Sequence, residues 1–159
     1  MSKIQEKVER VAPFDFGGQR IMNVSQWMTK EPVTIKPKDT LRHARERLAK
    51  YRINQMPVAI GNKLVGIVTD RDVKDAYPSS LRLFYGKDID EFGDSHTIEE
   101  VMTYNVITVS PETPLREAAQ QLRQQRFGAL PVVEKEKLVG IITRSDVLDA
   151  MLAEEKEKP

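Results

Sequence analysis

The sequence predicts a mixed α/β (α+β) fold made of two copies of one β-α-β-β-α unit, and three observations carry that expectation. Residues 23–73, moved forward by 74 positions, lie on 97–147 without a gap, and 19 of the 51 aligned pairs are identical. Inside each copy, apolar residues at helical spacing are followed by two short β-branched runs joined by a turn. A unit of this size leaves one apolar face uncovered when alone, so a duplicated chain covers it with its own second copy. Met28-Thr29 falls on Met102-Thr103, and Lys63-Leu64-Val65-Gly66-Ile67 falls on Lys137-Leu138-Val139-Gly140-Ile141.

The elements follow in order. Residues 1–22 read as a loosely ordered arm broken by Pro13, Gly17 and Gly18. The first repeat is placed at 23–77, an inter-repeat segment at 78–96, the second repeat at 97–153 and a charged tail at 154–159. Each repeat opens with a helical turn. Thr97 and Glu100 fit a capping box, in which each side chain satisfies a backbone N–H of the other, and Asn23 and Gln26 hold the same two places. Extended pieces are expected at 32–35 and 106–109. Lys38-Asp39-Thr40 and Glu112-Thr113-Pro114 then punctuate a helix start. Leu41, Ala44 and Leu48 form one apolar face, and Leu115, Ala118, Ala119 and Leu122 form the other. Strands are expected at 56–60 and 64–68, and again at 130–133 and 138–142. Gly61-Asn62 and residues 134–136 would supply the hairpin turns. A second helix starts at Asp70 or Arg144; the first stops near Tyr77-Pro78, while the second runs through Met151 into the tail. Leu81, Leu83, Phe84, Tyr85 and Phe92 make the inter-repeat segment too apolar for a solvated linker, so it is expected to pack.

Composition removes several function classes. With 25 Lys+Arg against 24 Asp+Glu, the formal charge of +1 offers no strong field to nucleic acid or an anionic membrane. No stretch approaches the ~18 apolar residues of a membrane span, and the first ten residues lack the apolar core of a signal peptide, which points to the cytoplasm. The absence of cysteine removes disulfides, thiolate nucleophiles and zinc-thiolate sites. His43 and His96 are too few for a histidine metal site and read as solvated; Trp27, opposite Val101, reads as a core or interface anchor. No nucleophile–base pair and no phosphate loop of the Walker type is present, so the chain is not expected to be an enzyme.

One pattern points to a ligand. Gly66-Ile67-Val68-Thr69-Asp70-Arg71-Asp72 and Gly140-Ile141-Ile142-Thr143-Arg144-Ser145-Asp146 each read Gly, two apolar residues, Thr, two polar residues, Asp. Placed where a strand turns into a helix, such a junction offers backbone N–H groups and a positive helix end to an anion. The Thr hydroxyl can bond a phosphate oxygen, Arg71 adds charge, and the Asp one turn later can accept from a ribose diol. Arg71 in one copy and Ser145 in the other make the two sites unequal. The competing explanation is that Thr and Asp are ordinary helix caps with no ligand.

These residues resemble a tandem pair of cystathionine-β-synthase (CBS) domains, the Bateman module of stand-alone type, over about 23–76 and 97–152. The resemblance rests on Met-Thr before the first strand, the amphipathic helix, Met56-Pro57-Val58 or Leu130-Pro131-Val132, and the Gly-to-Asp pattern. It implies two repeats about a pseudo-twofold axis, with clefts between them that bind AMP, ADP, ATP or S-adenosylmethionine. Thr69 with Asp72, and Thr143 with Asp146, would hold phosphate and ribose, with Arg71 and Ser145 beside phosphate. Thr29, Val33, Ile53, Asn54 and Pro57 in one copy would line base and sugar pockets. In the other copy Thr103, Ile107, Phe127, Gly128 and Pro131 would do so. The resemblance also implies a homodimer, no catalytic cofactor and a separate protein partner that reads the ligand. The alternatives are a structural or protein-interaction protein with no physiological nucleotide, and a small enzyme or nucleic-acid binder.

Overall fold

The computed structural model describes residues 22–78 and 87–155. Expectations for residues 1–21, for Leu81, Leu83, Phe84 and Tyr85, and for the tail from 156 lie outside the described residues. In chain order the elements are α1 (Val24–Trp27), β1 (Thr29–Lys30), α2 (Leu41–Tyr51), β2 (Gln55–Ile60), β3 (Lys63–Thr69), α3 (Asp70–Ala76) and α4 (Lys87–Ser95). A 3-10 turn (Ile98–Glu100), α5 (Leu115–Gln124), β4 (Ala129–Glu134), β5 (Lys137–Thr143) and α6 (Arg144–Glu155) complete them. They gather into two compact units. A continuous unit spans 32–106, and a split unit joins the residues up to Glu31 to those from Ile107 onward.

Alternation decides the continuous unit. In the β2–β3 hairpin Met56 pairs with Val68 and Pro57 with Ile67, so successive pairs face opposite sides. Met56, Val58 and Val68 turn to the side covered by α2, whose Leu41, Ala44 and Leu48 are buried with them. Ile35 extends the sheet by one parallel bridge to Val58, and Thr103 closes the other edge by an antiparallel bridge to Ile67. The extended piece expected at 32–35 thus shrinks to one bridge, and Val109 bridges Val132 in the same way in the split unit. There β1, β5 and β4 form an antiparallel sheet in that order. Leu130, Val132 and Ile142 meet Leu115, Ala118 and Leu122 of α5, and Trp27, 4% exposed, anchors the same core.

The two Met-Thr segments change sides. Thr29 of the first repeat pairs with Ile141 of the second. Thr103 of the second repeat pairs with Ile67 of the first, donating from its N–H at 2.9 Å and accepting at 3.0 Å. Glycine makes this approach possible. A Cβ on Gly66 would stand 2.7 Å from Met102 Sδ and 3.0 Å from the Thr103 carbonyl oxygen; on Gly140 it would stand 2.6 Å from Met28 Sδ and 3.0 Å from that of Thr29. Two motifs far apart in the sequence are therefore one contact, made once in each unit.

Local geometry repeats as well. Arg52 and Arg126 both take left-handed φ values, 53° and 57°, just past the ends of α2 and α5. The hairpins differ. Gly61 (φ 59°) starts the two-residue turn of β2–β3, whereas β4–β5 turns on Lys135 and Glu136, both left-handed at φ 48° and 64°. Glu134 belongs to the strand, so that turn is one residue shorter than the sequence suggested.

Among the described residues, α4 belongs to the continuous unit alone. Its Phe92 packs 5.3 Å from Tyr77 and stacks on His96 at 4.0 Å. Gly93 lets the helix close on Tyr77, whose hydroxyl is buried with no hydrogen-bond partner among the described residues; burial pushes that phenol up. Arg42 donates to Asp94 at 3.0 Å and Arg45 to Asp90 at 2.6 Å, tying α4 to α2. His96 is a correction to the solvated reading: it is half-buried, with Nδ1 2.9 Å from the Phe92 carbonyl oxygen. Among the described residues no helix is long and apolar enough to cross a membrane.

Candidate functional site

In the continuous unit, β3 ends at Thr69 and α3 begins at once, because Thr69 and Asp72 cap the turn reciprocally. The Thr69 hydroxyl donates to Asp72 Oδ2 at 2.7 Å, the Thr69 N–H donates to the same oxygen at 2.8 Å, and the Asp72 N–H donates to Thr69 Oγ1 at 3.1 Å. The Asp70 N–H donates to the Asn54 carbonyl at 2.8 Å, which fastens the loop after α2 to the start of α3. The split unit repeats this arrangement. Thr143 donates twice to Asp146 Oδ2, from N–H at 2.9 Å and hydroxyl at 2.8 Å, and the Asp146 N–H returns to Thr143 Oγ1 at 3.2 Å. The Arg144 N–H donates to the Gly128 carbonyl at 3.2 Å.

These bonds revise the anion site expected at each junction. The first and third N–H groups of each exit helix are already taken, and both Thr hydroxyl protons go to carboxylates. A phosphate oxygen can receive the Thr69 proton only if the cap opens. Asp72 Oδ1, in contrast, takes no hydrogen bond from the described residues, and Asp72 is half-buried. The capping explanation and the ligand explanation are thus compatible at Asp72: one carboxylate oxygen holds the helix and the other takes no hydrogen bond from the described residues.

The remaining candidates divide by unit rather than by repeat. Pro57, Ile67 and Thr103 stand in register across one face of the continuous unit's sheet, opposite its core. Pro131, Ile141 and Thr29 form the same row in the split unit. Thr29 therefore stands with Thr143 and Asp146, and Thr103 with Thr69 and Asp72. Ile67 and Ile141 were missed as row members, although period-2 alternation from Thr69 and Thr143 reaches both. Val33 and Ile53 are half-buried against the continuous unit's core. Their counterparts Ile107 and Phe127 are open, at 41% and 36% exposure. Arg71 and Ser145 are both exposed, as are Asn54 and Gly128. Among the described residues no group of three His, Asp or Glu is arranged to hold a metal ion.

Comparison with known proteins places the whole arrangement. The CBS domain model matches residues 24–79 and 98–153. A CBS domain-containing protein of Dictyostelium discoideum is 35% identical over 131 residues, covering 81% of this chain and 90% of the relative. An inosine-5′-monophosphate dehydrogenase of Korarchaeum cryptofilum is 32% identical over 128 residues; the match takes in 80% of this chain but only 24% of the dehydrogenase. A Vibrio cholerae protein described as an acetoin utilization protein has a similar structure, with TM-score 0.72 and 32% identity over 87% of this chain and 99% of that one. CBSX2, a CBS-pair protein of Arabidopsis thaliana solved in complex with AMP, gives TM-score 0.71 and 28% identity over 84% and 98%. A CBS domain pair solved with 5′-methylthioadenosine and S-adenosyl-L-methionine gives 0.67 and 29% over 82% and 99%. With two matched domains over most of its length, and the Gly-to-Asp cap repeated in both units, the chain belongs to the CBS domain family.

Proposed function

We propose that this chain is a regulatory module that binds adenosine compounds, AMP, ADP, ATP or S-adenosylmethionine, and passes the bound state to a separate protein. Binding, not turnover, is its activity. The single observation that carries the reading is the second carboxylate oxygen of Asp72 on a capped helix start, which takes no hydrogen bond from the described residues and can accept from a ribose hydroxyl beside the exposed Arg71. Solved relatives that hold AMP, or 5′-methylthioadenosine with S-adenosyl-L-methionine, support it. Ligand can bias the module's shape only by its difference in affinity for the two states the partner distinguishes.

The test is a thermal-shift panel with AMP, ADP, ATP, S-adenosylmethionine, NAD and GTP. A ligand at 100 times its dissociation constant adds ~2.7 kcal/mol, several degrees for a domain of this size. The double variant Asp72→Asn, Asp146→Asn keeps an acceptor for each cap and removes the carboxylate charge. Its melting point should stay close to that of the parent while the adenosine-dependent rise disappears. A flat panel with the parent protein overturns the reading.

A second reading has its own observation. On α6, Leu148, Met151 and Leu152 lie at helical spacing and are each 58% exposed, a stripe that supports self-association into a homodimer. Leu148→Glu should convert a dimer to a monomer in sedimentation; a monomeric parent chain removes this reading.

A further inference from the structure

Resting on the reading that a separate protein receives the bound state, we propose that this protein docks on the end of α2 through an acidic segment carrying an aromatic side chain. The surface is built from Arg47, Lys50, Tyr51 and Arg52 of the continuous unit.

α2 carries more positive charge than its own fold uses. On one flank, Arg42 donates to Asp94 at 3.0 Å and Arg45 to Asp90 at 2.6 Å, so both are met by α4. The helical repeat puts Arg47 and Tyr51 on the other flank. Among the described residues, Arg47, Lys50 and Arg52 form no ion pair and no side-chain hydrogen bond. One cation in the last turn is enough to complement the negative end of the helix dipole, and Lys50 supplies it. Arg47 and Arg52 exceed that need.

Tyr51 gives the patch its centre. The residue is 45% exposed, with the Arg47 guanidinium 5.8 Å and Lys50 Nζ 5.4 Å from its ring centroid. Two cations therefore flank one open aromatic ring, and Tyr and Arg are the residue types that dominate binding energy at protein interfaces. On α5 the equivalent positions hold Gln121, Gln124 and Gln125, so the shared fold does not require this chemistry.

The kind of partner follows from α4, which shows what seats on α2. It is an acidic helix bearing Asp88, Asp90, Glu91 and Asp94, and it places one aromatic residue, Phe92, 5.3 Å from Tyr77. The opposite flank offers an open tyrosine and three cations to the same combination. A nucleic acid fits less well: three cations at one helix end neutralise few phosphates, and the formal charge of the chain is only +1. The patch also adjoins the ligand site. The Asp70 N–H donates to the Asn54 carbonyl at 2.8 Å, which fastens the loop after Arg52 to the helix start that bears Arg71 and Asp72. A ligand that shifts that helix start shifts the docking surface with it.

The probe is a labelled peptide with the sequence of residues 87–95, followed by fluorescence anisotropy with the full chain. It should bind at low salt and be released as salt rises, because its contacts are with exposed charges. The triple variant Arg47→Gln, Lys50→Gln, Tyr51→Gln gives α2 the residues that α5 already carries at these places, and its melting point should stay close to that of the parent. It should lower peptide affinity about tenfold, while Arg123→Glu on α5 leaves affinity unchanged. Equal binding to parent and triple variant, as at the seat of α4 itself, overturns the docking surface, and so does no binding to either. A duplex DNA oligonucleotide that binds the parent more tightly than the peptide, and not the triple variant, overturns the choice of partner. If the peptide fails while the adenosine-dependent rise in melting point persists, the docking surface falls and the nucleotide reading stands. A flat nucleotide panel removes that reading whatever the peptide does.

Discussion

The continuous and split units are built from the same hairpin, the same helix and the same cap, yet they diverge wherever a side chain leaves the shared core. The cores match position by position: Leu41, Ala44 and Leu48 on Met56, Val58 and Val68 in one, Leu115, Ala118 and Leu122 on Leu130, Val132 and Ile142 in the other. The surfaces do not. Among the described residues, one unit carries α4 with its Arg–Asp ties, a glycine turn and Arg71; the other carries Trp27, a turn without glycine, and an exit helix of 12 residues where the first has 7. Packing density constrains buried positions tightly, so a duplicated core stays duplicated while its periphery is free to acquire separate tasks.

Four experiments test how far the two units differ. The largest effect is expected at α1. Trp27 is buried in the split unit, so Trp27→Ala should cost about 3–5 kcal/mol in chemical denaturation. Val101→Ala, its half-buried equivalent, should cost about 1 kcal/mol; equal losses would mean that the two openings are anchored alike. Next come the glycines under the exchanged segments. Gly66→Ala and Gly140→Ala should each cost about 1–3 kcal/mol by overpacking. In double-mutant cycles Gly66 should couple to Met102 and Gly140 to Met28. Coupling of Gly66 to Met28 instead would place the segments with their own repeats.

The hairpins should respond in opposite directions. Lys135→Asn with Glu136→Gly gives the left-handed turn the residues it favours and should add about 1 kcal/mol, whereas Gly61→Ala should remove about as much. The smallest effect is a pH dependence. The Thr97 N–H, and then its hydroxyl, hold the Glu100 carboxyl below the usual carboxylate range. Its contribution is complete above the unfolded carboxylate pKa and is lost as pH falls through the lower folded value. The equivalent box in the split unit uses Asn23 and Gln26, which do not titrate. Glu100→Gln should therefore flatten part of the acid limb of the stability curve; an unchanged acid limb would show that this box contributes nothing there.

Much of this was legible in the sequence because it depends on local spacing. The apolar faces of α2 and α5, the capping boxes at Asn23 and Thr97, and the two exit-helix starts each follow from residues within one turn of one another. The Met-Thr exchange was not legible. Both repeats carry the same Met-Thr and the same Gly, so an alignment of the copies is satisfied whether each segment pairs within its repeat or across. Nor did the pattern Thr-x-x-Asp reveal that its hydroxyl and N–H groups bond one another, since a cap and a ligand site ask for the same residue types at the same places. The open surface at Phe127 and Ile107, against the core-packed Ile53 and Val33, depends on tertiary burial that residue type alone does not carry.

The crossing of the Met-Thr segments also sets an order of events during synthesis. The continuous unit has every strand it needs once residue 106 has left the ribosome, and its pairings span short stretches of chain. The split unit must hold Thr29 and Lys30 without a partner until β5 emerges, more than a hundred residues later. A nascent chain therefore passes through a stage with one finished half and one exposed two-residue strand, whose match is the same Gly-Ile step already filled by Thr103. Once Thr103 has paired with Ile67, that step is no longer open to the first segment, which waits for Ile141.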